Sequence, residues 1–288
     1  MSRKIILVLH PTRDEAHALA GEVVHFLKDQ NFEVLTSTDV DISGVSKLTD
    51  VDLIANRKDA ELVLVLGGDG TILRGAEIAH GSDLPVLGIN LGHVGFLAQI
   101  EKPSIANLVE VISKRSYSVE KRMTLAYRVE RGNSLLTNGW ALNEVAVERN
   151  TEAMIELFVQ IDHRPLSRWG CDGVICATPT GSTAYAFSAG GPVVWPDVDA
   201  LVLLPLAAHA LFSDPMVVSP ESEIAIDVES EIGVLSADGL RKVQLLEGDR
   251  IVLTSEKSFI SLAHIDNAPF TDRLVAKFKL PVDGWRGK

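Results

Sequence analysis

The apolar residues of this chain change their period once, near residue 123, and that change limits the folds open to it. Before it, short aliphatic runs alternate with helical patterns. Residues 5–9 and 62–66 are unbroken strand-like runs, and residues 32–35 and 85–89 are further short strand candidates. Between them, Ala16, Leu19, Ala20, Val23 and Leu27 recur at helical spacing behind Thr12 and Glu15, which have the spacing of a capping box. Residues 71–79 read as a helix, and Ser104 opens another whose Ile105, Leu108, Val109 and Ile112 share a face. Continuous apolar strands separated by helices imply a parallel sheet covered on both sides, a Rossmann-like α/β domain.

After the change the period is two. Leu125, Tyr127 and Val129, then Ile155, Leu157, Val159 and Ile161, then Ile224, Ile226 and Val228 alternate with polar or small residues. Turn signals sit at Gly132-Asn133, Asp238-Gly239 and Glu247-Gly248-Asp249. Repeated short strands with such turns predict an antiparallel, β-sandwich-like domain. Residues 271–279 form a last helical pattern with no strand partners. At 288 residues the chain suits two domains.

Composition narrows the function. Lys and Arg number 27 against 39 Asp and Glu, a net charge of −12, so the field of the whole molecule opposes nucleic acid and anionic membranes. The apolar stretch at residues 200–212 is shorter than the roughly 20 residues of a membrane span and is broken by Pro205 and His209. The five-residue apolar run near the N-terminus falls short of the roughly 7 to 15 residues of an export signal. Cys171 and Cys176 have neither redox-pair nor zinc-doublet spacing, which leaves reduced thiols and a cytoplasmic setting as the expectation.

Two segments carry chemistry. Gly67, Gly68, Asp69, Gly70 and Thr71 follow an aliphatic strand and precede a helix. There, backbone N–H groups cradle anions and glycines admit a phosphate to the backbone. GxxxxGK[ST] is absent, and GxGxxG fails because Leu73 stands where the last glycine belongs. A carboxylate among phosphate-binding glycines makes sense if it holds a divalent cation or takes a proton from an attacking hydroxyl, the chemistry of phosphoryl transfer. The alternative is a tight turn in which Asp69 caps the helix. In the second segment, a strand at residues 174–177 runs into a hydroxyl-rich stretch through Thr180, Ser182, Thr183, Tyr185 and Ser188. Small donors beside one aromatic ring suit a nucleotide; the alternative is a Ser/Thr turn with a packed Tyr. Asn143-Glu144 opens an alternating strand and offers partners for ribose hydroxyls.

GGDGT at residues 67–71, GxxGFL at 92–97, the Asn143-Glu144 pair and the block 172–192, in this order and spacing, resemble the bacterial ATP/polyphosphate NAD kinases, and the tail from residue 269 resembles their actinobacterial branch. GGDGT alone is shared with lipid kinases and phosphofructokinases; the 172–192 block is more specific. The resemblance implies phosphorylation of the adenosine ribose 2'-hydroxyl of NAD with ATP or polyphosphate as donor. It makes Asp69 the catalytic base, with Gly70 beside it and Arg74 near phosphate. Asn143 and Glu144 would hold ribose and adenine groups, Asp172 the nicotinamide side, and Thr183, Ala184, Tyr185, Ala186, Phe187 and Ser188 would line the NAD site. It also implies a homodimer or homotetramer whose NAD site is shared between subunits, and a C-terminal segment that returns to the first domain. The expected domains are therefore 1–122 with 267–288, and 123–266, with the ligand cleft between them. No histidine or cysteine cluster has metal-ligand spacing, so Mg²⁺ or Mn²⁺ would arrive with the nucleotide phosphates. His209 admits two readings, a diphosphate contact or a packed core histidine. A lipid kinase would call for a basic or amphipathic membrane-facing surface, and a non-catalytic nucleotide sensor would have no use for Asp69.

Overall fold

A computed structural model describes residues 3–92, 95–98, 103–230, 232–265 and 268–282. His93 and Val94 of the GxxGFL element, and the last six residues of the tail, lie outside the described residues. The chain forms two compact units, Met1–Lys121 with Phe259–Lys288, and Arg122–Ser258.

The first unit begins with β1 (Arg3–Leu9), α1 (Asp14–Asp29), β2 (Phe32–Thr36), β3 (Val45–Lys47) and α2 (Asp50–Asn56). It continues with β4 (Ala60–Leu66), α3 (Asp69–Ala79), β5 (Val86–Ile89) and α4 (Ile105–Lys114). The strands pair in parallel in the order β5-β4-β1-β2-β3. The chain winds outward from β1 in one direction and then restarts with β4 on β1's other side. Ligand crevices of open α/β sheets form at such a reversal, outside the carboxyl ends of the strands. The loop after β4, Gly67-Gly68, lies there. Ile5, Leu7, Leu62 and Leu64 pack with Ala16, Ala20, Val23 and Leu27 of α1 and Leu108 and Ile112 of α4, so the helical faces read from the sequence are the buried ones. The capping box is not formed: Arg13 is the N-cap of α1 and no side chain caps it. The Thr12 amide instead points to His10 Nδ1 at 3.4 Å. β3 and α2 had no clear periodic signature, being only a few residues each.

The second unit holds most of the remaining strands: β6 (Ser118–Arg131), β7 (Ser134–Ala141), β8 (Glu144–Arg149), β9 (Ile155–Ile161), β10 (Arg164–Cys171) and β11 (Gly173–Ala177). After the one-turn α5 (Tyr185–Ser188) come β12 (Leu201–Leu206), β13 (Met216–Val218), β14 (Ile224–Val228), β15 (Gly233–Ala237), β16 (Arg241–Leu245) and β17 (Asp249–His264). One antiparallel sheet runs β13-β12-β11-β8-β15-β16, and β9, β14 and β17 pair antiparallel in another. Inward residues of both, Val145, Val147, Val174 and Leu203 from one and Leu157, Val159, Ile226 and Ile251 from the other, form a single core. This is the sandwich that the period of two implies. The expected turns are present, with positive φ at Asp238, Gly239 and Gly248.

The return to the first unit begins at Phe259, not at 267. β17 is long enough to pair with β14 through Ile251 and Val252 and then, in parallel, with β5 through Leu262 and Ala263. It is followed by α6 (Phe270–Phe278).

Candidate active site

Gly68 is the N-cap residue of α3 and Asp69 its first helical residue, and no side chain caps the helix. The capping alternative for Asp69 therefore fails. Its carboxylate is held by a different segment: the Phe96 and Leu97 N–H groups donate to Oδ2 and Oδ1 at 3.0 and 3.2 Å. A Cβ on Gly95 would stand 2.2 Å from Oδ1, so only glycine lets that loop approach so closely. Gly67 is glycine for a similar reason, since its Cβ would meet Thr71 Oγ1 at 2.4 Å, whereas Gly68 and Gly70 face open space. The resulting feature is a half-buried carboxylate gripped by two amides at the mouth of a glycine loop. The GxxGFL element thus has a physical task that its spacing alone did not disclose.

Arg74 does not share Asp69's surroundings. It is exposed and lines a cavity of about 460 Å³ with Leu9, Thr38, Asp39, Asp50 and Glu77. Five residues on from Asp69, it points to another side of α3.

In the second unit the Asn143-Glu144 corner is built around a carboxylate that sequence reading took for part of a turn. Asp238 accepts from the backbone N–H groups of Leu142, Asn143 and Glu144 at 2.8, 2.7 and 3.3 Å, and Arg241 pairs with it at 3.1 Å. A dipeptide read as Asp-Gly turn chemistry carries no sign of that second role. Asn143 and Glu144 are both buried. Glu144 Oε2 has no hydrogen-bond partner. Burial, reinforced by the nearby Asp238 charge, pushes the Glu144 carboxyl up to about 8, although the Tyr185 N–H opposes the shift. Near neutral pH it is mostly a neutral acid, able to donate as well as accept.

The Thr178, Ser182 and Thr183 hydroxyls are spent on backbone carbonyls, and that of Thr180 accepts from Arg122 at 3.4 Å. Thr178 Oγ1 donates to the Leu142 carbonyl at 2.6 Å, Ser182 Oγ to the Pro179 carbonyl at 2.7 Å, and Thr183 Oγ1 to the Thr180 carbonyl at 3.2 Å. They shape the turn against Asn143, and a Cβ on Gly181 would come within 2.0 Å of the Asn143 carbonyl oxygen. Ala186 is fully buried among Ala146, Ile175 and Val202; its side chain packs the core. Tyr185 and Phe187 are exposed, as is Ser188.

Tyr185 and Asp172 do come together, in a cleft of about 530 Å³ with Glu148, Arg149, Leu206 and Ala207. Tyr185 donates its hydroxyl to Glu148 at 2.7 Å, and Arg149 Nε holds Asp172 at 2.6 Å. Burial and then the Glu148 bond push the Tyr185 phenol up to about 12, so it remains a donor. Both ion-pair partners are partly exposed, which makes the Arg149–Asp172 pair an orienting contact worth at most about 1 kcal/mol. Glu148 and Arg149 were missed because in sequence they end an ordinary alternating strand. His209 is exposed, with its backbone N–H donating to the Gly170 carbonyl at 2.9 Å; it is not a packed core histidine. Among the described residues no three His, Cys, Asp or Glu side chains form a metal-binding group.

Residues 5–117 match the ATP-NAD kinase N-terminal domain and residues 142–264 the ATP-NAD kinase C-terminal domain. The chain is 45% identical to the NAD kinase of Thermobifida fusca over 100% of its own length and 92% of that protein's. It is 46% identical to the NAD kinase of Mycobacterium tuberculosis over 99% of each. Among solved structures, yeast NADH kinase complexed with NADH superposes with a TM-score of 0.88 at 24% identity, covering 100% of this chain and 90% of that one. An Archaeoglobus fulgidus NAD kinase in complex with ATP gives 0.73 at 28%, covering 96% and 98%. With both domains matched and near-complete coverage of its relatives, the chain belongs to the NAD kinase family, enzymes that phosphorylate NAD to NADP.

Proposed function

We propose that Asp69 is the general base of this kinase. In the step, an Asp69 carboxylate oxygen takes the proton of the adenosine ribose 2'-hydroxyl, the O2'–P bond forms, and the bond from the transferred phosphorus to ADP, or to the shortened polyphosphate, breaks. The observation that carries this reading is the amide clamp: a carboxylate oriented by Phe96 and Leu97, next to glycines open to a phosphate. Each carboxylate oxygen keeps a lone pair for the proton. ATP as donor is supported by the relative solved with ATP.

Glu144, Asp172, Tyr185, Phe187 and Ser188 retain side-chain groups that a dinucleotide could use. Asn143 offers its side-chain amide beside Glu144, whereas Thr183, Ala184 and Ala186 act mainly through backbone shape. Gly70 leaves room beside the base, and Arg74 supplies positive charge to the neighbouring cavity. The phosphates lack a P-loop lysine, so a divalent cation, Mg²⁺ or Mn²⁺, carried in with the nucleotide neutralises them. Exposed Leu211, Phe212 and Val217 support assembly as a homodimer or homotetramer, which light scattering at micromolar concentration would show. Buried free Cys171 and Cys176 agree with a reducing cytoplasm; among the described residues no helix is long and apolar enough to cross a membrane.

The test is NADP formation from NAD and ATP, coupled to glucose-6-phosphate dehydrogenase, with wild type and Asp69→Asn. Asn keeps the shape and the helix start but cannot act as base, so kcat is expected to fall roughly 10²- to 10⁴-fold. NAD affinity and the thermal melt should barely change. A variant that melts normally and keeps more than about a tenth of wild-type kcat would reject Asp69 as the base.

A further inference from the structure

The loop that clamps Asp69 is itself held by the last helix. Phe96, whose amide donates to Asp69, places its ring against Phe270 and Phe278 at opposite ends of α6, each at a centroid distance of 5.8 Å. From the same helix Arg273, only 3% exposed, donates through Nη1 to the carbonyl of Ala98, one residue beyond the clamp. Its Nη2 lies 3.2 Å from His264 Nδ1, and His264 Nε2 lies 3.1 Å from Glu120 Oε2. A guanidinium only donates, so Nδ1 must accept, the ring proton sits on Nε2, and His264 donates it to Glu120. The polar chain Glu120–His264–Arg273–Ala98 is therefore consistent at each link.

Burying a guanidinium is costly unless its donors are used, and leucine would fill the core of a helix–loop contact without that cost. What Arg273 adds is direction. It fixes the 96–98 backbone at a point where Gly95 leaves no slack against Asp69.

We infer that Arg273 is a positioning residue for phosphoryl transfer, acting through the Ala98 carbonyl and the Phe96 and Leu97 amides on the Asp69 carboxylate. The inference rests on the reading of Asp69 as the base. Loss of Arg273 frees the loop, and the base keeps its identity but loses its aim.

The experiment is a double-mutant cycle in the full chain with Arg273→Met, Asp69→Asn and both, reading kcat and NAD KM in the coupled assay and folding by circular dichroism. Arg273→Met is expected to lower kcat roughly 10- to 100-fold while NAD KM stays within about threefold. Arg273→Lys, which can still donate to the Ala98 carbonyl but has no second prong for His264, is expected to recover part of that loss. In the Asp69→Asn background Arg273→Met should change the residual kcat by less than about twofold, because the two act as one unit. Equal loss in both backgrounds, or a KM increase at constant kcat, would overturn the inference. If Asp69→Asn is inactive but Arg273→Met retains wild-type kcat, this inference alone fails. If Asp69→Asn retains kcat, the base reading fails and takes this inference with it. Should Arg273→Met not fold, Arg273→Lys replaces it in the same cycle with an expected loss of roughly three- to tenfold, and additivity with Asp69→Asn again overturns the proposal.

Discussion

Gly95→Ala offers a sharp test of the amide clamp because the structure supplies its size. The new Cβ would lie 2.2 Å from Asp69 Oδ1, 2.7 Å from Cγ and 2.8 Å from Oδ2, whereas ordinary contact begins near 3.4 Å. The carboxylate must therefore retreat by about 1 Å, and at that distance one or both of its bonds to the Phe96 and Leu97 amides are lost. Asp69 is half-buried, so water replaces part of what is lost and the net stability cost should be about 1 kcal/mol. Catalysis is less forgiving: a misplacement of about 1 Å in a reacting group costs roughly a hundredfold in rate. The expected variant melts within a few degrees of wild type, binds NAD normally, and has kcat down by roughly two orders of magnitude. Gly139→Ala is a control for crowding as such, since its Cβ would meet the Tyr127 hydroxyl at 2.5 Å, in the second unit and not on the loop that holds Asp69. That variant should lose stability and keep its per-molecule kcat. If Gly95→Ala keeps more than about a third of wild-type kcat, the clamp does not aim the base.

Three further outcomes follow from the same geometry. Glu144 has its carboxyl raised from 4.5 to about 8, so the protonated form is favoured in the folded state; its stabilising contribution is complete below pH 4.5 and drains away as pH rises toward 8. Thermal melts of wild type should therefore decline between those pH values relative to Glu144→Gln, and parallel pH profiles would refute the buried acid. Gly181→Ala drives a Cβ into the backbone of Asn143, with 2.0 Å to its oxygen and 2.3 Å to its carbonyl carbon; it should cost about 1–3 kcal/mol or more in chemical unfolding and raise the KM for NAD. Activity should vanish in excess EDTA and return with Mg²⁺ or Mn²⁺, and full turnover in chelator would sink the proposed role of the cation.

Much of this molecule was legible in its residues, and the reason is periodicity. Aliphatic runs such as residues 62–66 and the alternation at residues 155–161 report burial on two faces and on one face, and burial is what makes them strands. Glycine-rich GGDGT read as a candidate phosphate loop because glycines tolerate close approach, and the ordered set of motifs pointed to the family that both domain matches then showed. Short elements such as β3, and the exact start of α1, were not legible, since a few residues carry no period and a cap depends on where neighbouring groups point.

Tertiary structure alone decided which polar groups have partners. The Ser182 hydroxyl looks in sequence like a donor for a ligand, yet it donates to the Pro179 carbonyl at 2.7 Å and accepts from the Val194 N–H, twelve residues on, at 2.9 Å. Asp238 reads as half of a turn, but it gathers three backbone amides from residues nearly a hundred positions away. Asp69 could have been a helix cap until Phe96 and Leu97 arrived on it from another loop, with Arg273 behind them from the far end of the chain. The sequence by itself determined the two folding patterns and the class of chemistry, because hydrophobic period and glycine content are local properties. Orientation of each carboxylate is a long-range property: hydrogen-bond donors are common to all residues, and only the closed fold selects which ones a side chain meets.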